Sequence, residues 1–277
     1  MRMSVCRLFV MAGIVVVALG WSSRDAAAQY RPPAKPAIGE DYHIEASFAW
    51  WNAEPSILVS SESLGIPGDD IDLIDDLSIL KHKLRKLDIV LRPGKKHRFR
   101  FEYLPISYSA DTVIKRTFVF NGQRYTIGLP VKTTAEFNTS RFGYEYDFLY
   151  MKRGFLGALF DLKYTSVNVS LESPLTAQPE FTSAVAPIPT IGIVGRAYVS
   201  PEVAINGELS LFRVPDSLAK DKFDGSYTDV DLNLTYNYNR YVGAVVGYRR
   251  LSVFYQFERD SGALKFSGLY FGGVVRY

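Results

Sequence analysis

Residues Thr228–Asn239 read TDVDLNLTYNYN. Val230, Leu232, Leu234, Tyr236 and Tyr238 alternate there with Asp229, Asp231, Asn233, Thr235 and Asn237. A period of two places these sets on opposite faces of an extended strand, one apolar and one polar. A soluble β-sandwich strand has this pattern with its apolar face in a core. A membrane barrel strand has it with its apolar face in lipid. One strand does not separate the two, so the others decide.

The pattern recurs along the chain. Phe142, Tyr144, Tyr146 and Phe148 alternate with Arg141, Gly143, Glu145 and Asp147. Phe99, Phe101 and Tyr103 face away from Arg98, Arg100 and Glu102, and Ile44, Ala46, Phe48 and Trp50 away from Glu45, Ser47 and Ala49. Leu156, Ala158, Phe160, Leu162 and Tyr164 oppose Gly157, Leu159, Asp161 and Lys163, while Leu87, Ile89 and Leu91 oppose Asp88, Val90 and Arg92. Strands are expected over 41–54, 84–92, 97–112, 132–149, 154–172, 184–199, 203–214, 226–239, 241–256 and 263–277. That is about ten, or eight if two belong to loop hairpins; each is near or above the roughly 9–11 residues that cross a bilayer.

Connection lengths separate the two architectures. Pro93–Lys96, Tyr150–Arg153, Ser200–Glu202 and Asn239–Tyr241 are short, whereas Pro55–Lys83, Val113–Val131, Ser173–Ser183 and Val214–Gly225 are long. Arg259–Gly262 is the one short member of the second set. Short turns on one side and long loops on the other describe an all-β, transmembrane, antiparallel up-and-down barrel. A Greek-key sandwich, the main competitor, has no reason to alternate this way. Within the second long loop, Asn121-Gly122 signals a hairpin that extends the flanking strands. In the first, GDDIDLIDDLSILKHKLRK fits a short helix or two strand pieces.

The N-terminus has Arg2 and Arg7, an apolar run from Leu8 to Gly20 and a small-residue site at Ala26-Ala27-Ala28. This is the layout of a cleavable signal peptide over 1–28. A Pro-rich periplasmic leader over 29–40 and a barrel over 41–277 follow. The only cysteine, Cys6, lies in the signal, so the mature chain has neither disulfides nor cysteine-type zinc sites. Removing Arg2, Arg7, Arg24 and Asp25 from 32 basic and 29 acidic residues leaves 29 against 28. Near-neutrality argues against a nucleic-acid partner.

With the Ala26–Ala28 signal, the alternating strands, GYRRL at Gly247–Leu251 and the ending YFGGVVRY at Tyr270–Tyr277, the chain resembles the small outer-membrane β-barrel superfamily, OmpA-type and OmpW-type in the broad sense. The resemblance implies a bacterial outer-membrane location, with outer-membrane lipid, lipopolysaccharide and the barrel-assembly machinery as partners. It also implies that outward Leu269, Phe271 and Val275 and the terminal aromatic Tyr277 form the assembly signal. The closing strand is expected to pair with the first near Ile44–Trp50, with Gly268 and Gly272 leaving room for lumen side chains.

If the apolar faces meet lipid, the polar faces line the interior. They carry Arg98, Arg100, Glu102, Arg141, Glu145, Asp147, Asp161, Lys163, Arg196, Glu208, Asp229, Asp231 and Arg249. Charges of both signs in a narrow interior must pair. Counting through the Asn239–Tyr241 turn sets Asp231 opposite Arg249. Counting through Ser200–Glu202 sets Arg196 opposite Asn206, with Glu208 diagonal. The expected role is structural or surface-interacting, through the long extracellular loops Pro55–Lys83 and Val113–Val131 of a monomer with no cofactor or metal and no enzymatic activity. The alternatives are a narrow solute channel, or an outer-rim hydrolase using His82 beside Asp69, Asp70, Asp72, Asp75 and Asp76. Trp50, Tyr150 and Tyr241 suit interface girdles, while Trp51 faces the lumen by parity.

Overall fold

The computed structural model describes residues 36–61, 68–77, 83–120, 123–173, 180–215, 223–257 and 260–277. The signal segment, Asn121-Gly122 and His82 lie outside these residues. In chain order the strands are β1 (Ile44–Ser61), β2 (Ile71–Asp72), β3 (Leu84–Leu91), β4 (His97–Val113), β5 (Phe118–Phe120), β6 (Gln123–Tyr125), β7 (Pro130–Met151), β8 (Gly154–Glu172), β9 (Glu180–Tyr198), β10 (Val203–Arg213), β11 (Phe223–Asn237), β12 (Val242–Phe257) and β13 (Asp260–Arg276).

Setting aside the two-residue β2 and the β5–β6 hairpin, ten antiparallel strands run in sequence order around a barrel, and β13 pairs back onto β1. The seam is continuous from Glu45↔Arg276 through Trp50↔Phe271 to Ser61↔Asp260. Tyr277 extends it: its N–H donates to Ile44 O at 2.9 Å, and its carbonyl accepts from His43 and Ile44 at 2.7 and 2.9 Å. The seam sharpens the expected role of Gly268 and Gly272. A Cβ at either would lie 2.0 or 2.1 Å from the backbone oxygen of Asn52 or Phe48, so they allow close approach to β1 rather than make room for lumen side chains.

The outward faces carry an apolar band. On β8 it runs from Leu156 to Tyr164, about 20 Å along the barrel axis at ordinary rise and tilt. Exposed Trp50, Tyr103, Tyr164 and Tyr248 mark its outer edge, and Tyr146, Phe148, Tyr236, Tyr238 and Tyr241 its inner edge. A register shift after Tyr146 lets both Phe148 and Leu149 face out.

Above the band the two faces exchange character. On β4 the outward set passes from Phe99, Phe101 and Tyr103 to Ser107, Ser109 and Asp111, while the inward set passes from Arg98, Arg100 and Glu102 to Leu104, Ile106 and Tyr108. On β8 the outward set becomes Ser166, Asn168 and Ser170, and the inward set Val167, Val169 and Leu171. The barrel therefore continues beyond the lipid as a water-facing β structure around an apolar core. For this reason the first strand, expected to end at 54, reaches Ser61, the fourth and sixth begin at Pro130 and Glu180, and the eighth at Phe223.

The loops add to that core. β2 pairs with β1 at Leu58 and Val59, and the following turn buries Leu73 and Leu77. The hairpin in Thr117–Val131 forms, but as a separate two-stranded sheet rather than an extension of its neighbours. It buries Phe118, Phe120 and Tyr125.

Among the described residues, the ladder between β9 and β10 is cut short. Pairing of β9 with β10 stops at Ile191↔Leu211, although β9 continues along β8 to Glu180. Near the turn, Tyr198 N donates to β8-side Arg153 and Val199 N to β10-side Val203. By that alternation the positions of Pro187 and Pro189 face β10, where each lacks the ladder donor. A groove of about 620 Å3 lies there, lined by Phe160, Pro189, Ile191, Leu211, Phe212, Arg213, Ser226 and Thr228. Replacing Pro189 by Val restores a donor opposite Arg213. Closing the seam there is expected to slow amide exchange at Arg213, which faces β9, about fivefold, for one net hydrogen bond of about 1 kcal/mol; unchanged exchange would show that the prolines do not hold the seam open.

Candidate functional site: a filled lumen

Within the band, parity turns one face of every barrel strand inward, and all thirteen lumen charges read from the sequence sit there. Pairs between neighbouring strands, such as Arg98 with Glu145 and Arg141 with Asp161, are tied together by braces that span the interior.

The uppermost brace centres on Arg249 of β12. Its guanidinium donates to both oxygens of Glu102 on β4 at 2.9 and 2.8 Å, and to both of Asp229 on β11 at 2.9 and 2.7 Å. Asp229 also accepts from Lys163 of β8 at 3.1 Å. Asp231 lies opposite Arg249 in the ladder, as the turn geometry implies, but its ion partner is Lys86 of β3 at 3.0 Å. Tyr270 donates to it at 2.6 Å. Asp229 and Glu102 hold Arg249 by two-pronged contacts, so the diagonal wins over the direct neighbour.

Below it, Arg141 bridges Asp161 at 3.0 Å and Glu208 at 2.6 Å, and Arg100 bridges Glu208 at 2.9 Å and Glu145 at 2.7 Å. Arg196 meets Asn206 at 2.6 Å, as counted, while Glu208, diagonal to it, is taken by Arg100 and Arg141. A cavity of about 100 Å3 remains among these groups.

The inner mouth is closed by residues that the sequence reading left outside the lumen. Glu40, placed in the leader, is buried and meets Arg98 at 3.1 Å, Arg196 at 3.6 Å and Arg92 at 3.7 Å. Arg98 also holds Glu145 at 2.6 Å and Asp147 at 3.2 Å. The Tyr42 ring lies 5.4–5.9 Å from the guanidinium carbons of Arg92, Arg196 and Arg276. Glu45 joins Arg196 at 2.9 Å to Arg276 at 2.5 Å, across the seam. Ile38 N donates to Pro201 O at 2.8 Å, and Gly39 (φ 90) turns the chain where a Cβ would lie 2.8 Å from Asn237 Oδ1.

Lys86, Glu45 and Arg276 were legible, because each falls on the polar face of its strand. Glu40 and Tyr42 precede the first alternation and carry no such signal.

Among the described residues, the core of the outer half is apolar. Trp51 is fully buried, donates to Gly268 O at 3.1 Å and packs at 6.4 Å against Phe266, which stacks with Tyr108 and meets Phe137 at 5.8 Å. Above lie Ile71, Leu73, Leu77, Phe118, Phe120 and Tyr125. Two contacts of Arg116 fasten this cap from outside: its Nε and Nη2 donate to Asp76 at 2.8 and 2.7 Å. The same bonds hold the Asp76 carboxyl below the usual carboxylate range. The expected polar lumen is thus confined to the inner half; an apolar core occupies the outer half. Of the rim residues, Asp69 accepts from Val119 N and Asp72 caps its own turn, so both serve loop structure. Leu269, Phe271, Val275 and Tyr277 are exposed on the outer wall of β13 and its end.

Removing one member of a buried pair leaves its partner charged and unpaired, which costs about 3–5 kcal/mol. Arg249→Leu strands both Glu102 and Asp229 and is expected to lose at least that much in urea unfolding of the detergent-solubilised barrel. Arg250→Leu, one residue away on the outer wall, is expected to change stability by less than about 1 kcal/mol.

No protein-family model and no curated protein matches the sequence. Among solved structures, the chain is similar to the outer membrane protease OmpT from Escherichia coli, with a TM-score of 0.51, 10% identity, and 87% of this chain and 98% of that one covered. Weaker likenesses are the translocator domain of the autotransporter NalP from Neisseria meningitidis (TM-score 0.39, 8% identity, 97% and 96% covered) and Ail of Yersinia pestis (0.38, 7%, 83% and 99%). The identities are too low to carry an activity across. In fold, the chain is a closed ten-stranded antiparallel β-barrel with buried salt bridges in its lumen.

Proposed function

We propose that this protein is a closed, non-conducting barrel of the bacterial outer membrane, monomeric, whose role is to hold a rigid collar and its loops at the cell surface. The observation that carries this reading is the double filling of the interior. Ion pairs occupy the inner half, Trp51, Phe266 and Tyr108 the next layer, and the loop residues around Phe118 and Phe120 the top. A permeation path needs a connected wet lumen, and the remaining cavity of about 100 Å3 is the size of a few waters. The filling also supports a display role: buried apolar contacts fix β2 and the β5–β6 hairpin to the barrel, giving the rim a defined shape. The reading assigns no catalysis, cofactor or metal to the chain.

The test is single-channel recording of the refolded full-length protein in a planar bilayer. Silence is expected across ordinary voltages, and steady conductance would replace this reading with the narrow-channel one. Assembly belongs to the same proposal. Tyr277 stands exposed at the end of the closing strand while its backbone completes the seam. Tyr277→Ala keeps those backbone bonds. It is expected to slow insertion by the assembly machinery while leaving the heat-modification temperature of folded barrel within a few degrees. Equal yields of assembled wild type and variant would remove the sorting role.

A further inference from the structure

The outer wall carries an asymmetry that the filled lumen does not explain. Just above the apolar band, β4, β7, β8 and β11 continue outward with Ser107, Ser140 and Asn138, Ser166 and Asn168, and Thr228 and Ser226. In the opposite sector the next outward residues are cations: Arg85 on β3 with Lys83 before it, Arg250 on β12 and Lys265 on β13. All four are exposed, and among the described residues none has an ion pair.

The ladder fixes their neighbourhood. Arg85 is opposite Trp50, which is opposite Phe271. Arg250 is opposite Ser267, two residues from Lys265 on the same face. Lys83 reaches over β1, with its Nζ 5.8 Å from the Phe271 ring centre. Glu54 lies opposite Ser267 at the same level and has contacts of its own, so four cations face one carboxylate. Beneath them the wall is aromatic: Phe48 packs edge-on to Trp50 at 4.9 Å, and Trp50 lies 5.8 Å from Phe271.

We infer that this sector, Lys83, Arg85, Arg250 and Lys265 above Phe48, Trp50 and Phe271, binds the phosphate groups of an acylated, phosphorylated glycolipid of the outer leaflet. Arg250 and Lys265 are diagonal neighbours on adjacent strands, and Lys83 and Arg85 share one face at the start of β3, so like charges gather there unless an anion lies between them. The boundary of the apolar band is where lipid phosphates sit, and basic residues at that depth attract them. The aromatic floor accepts acyl chains or the sugar backbone. With short turns inside and long loops outside, the site faces the outer leaflet. It lies on the outer wall and stands whether or not the lumen conducts.

The test uses the refolded full-length protein in dodecyl maltoside, with bis-phosphorylated lipid A and its enzymatically dephosphorylated form as probes. Native mass spectrometry counts retained lipid. Wild type is expected to retain lipid A, and K83Q/R85Q/R250Q/K265Q to bind it at least about tenfold more weakly. The dephosphorylated form is expected to bind wild type no better than lipid A binds the variant, and millimolar inorganic phosphate is expected not to displace the lipid. A heat-modification shift on a gel verifies that the variant is folded. The charge-conserving K83R/R85K/R250K/K265R is expected to recover retention, and K132Q, outward on β7, to leave it unchanged. Equal retention by wild type and the quadruple Gln variant, or equal binding of the dephosphorylated form, overturns the site. Displacement by free phosphate would assign it to a soluble anion and overturn the lipid.

Discussion

Closure of β13 onto β1 is the constraint on which the rest of the structure depends. In hydrocarbon every backbone N–H and C=O must find a partner within the protein, and an open edge leaves a row of them without one. The seam meets this demand residue by residue from Glu45↔Arg276 outward, and Gly268 and Gly272 let the two backbones come close. Once closed, each strand has one face in lipid and one in the lumen. Every charge on an inward face is then committed to a narrow interior.

That commitment shapes the lumen. Ten strands enclose more space than neighbouring side chains fill, so the long cations Arg100, Arg141, Arg196 and Arg249 reach across and gather carboxylates from distant strands. Arginine suits this role because its planar fork holds two carboxylates in defined geometry without losing its charge. Such pairs add less to net stability than their number suggests, since desolvation offsets much of the attraction. Their clearer effect is on register, because a one-residue slip would turn Arg249 and its partners into lipid.

The apolar core of the outer half follows from the same geometry in a different solvent. Once the barrel leaves the bilayer its outer wall faces water, and Ser107, Ser166 and Asn168 replace aromatics there. The interior no longer needs polar groups to balance a lipid exterior, so Leu104, Ile106, Val167 and Phe266 fill it by ordinary hydrophobic burial. The opening between β9 and β10 sits at this transition, beside Pro187 and Pro189.

Much of this was determined by the sequence alone. Alternation from Ile44 to Tyr277 indicated which face of each strand is apolar and which charges line the lumen, while the choice between ten strands and eight fell to the closed ladder. Short turns of defined length established the Asp231–Arg249 and Arg196–Asn206 registers. These properties are local, set by a two-residue period and the geometry of a turn. Tertiary structure alone decided which charges pair, because Arg249 chose Glu102 on β4 and Asp229 on β11 over the residue opposite it. It also decided the plugging of the inner mouth by Glu40 and Tyr42, which lie before any periodic segment, and the capping of the outer end by β2 and the β5–β6 hairpin. Those outcomes depend on distances across a closed barrel, and no spacing along a single strand encodes them.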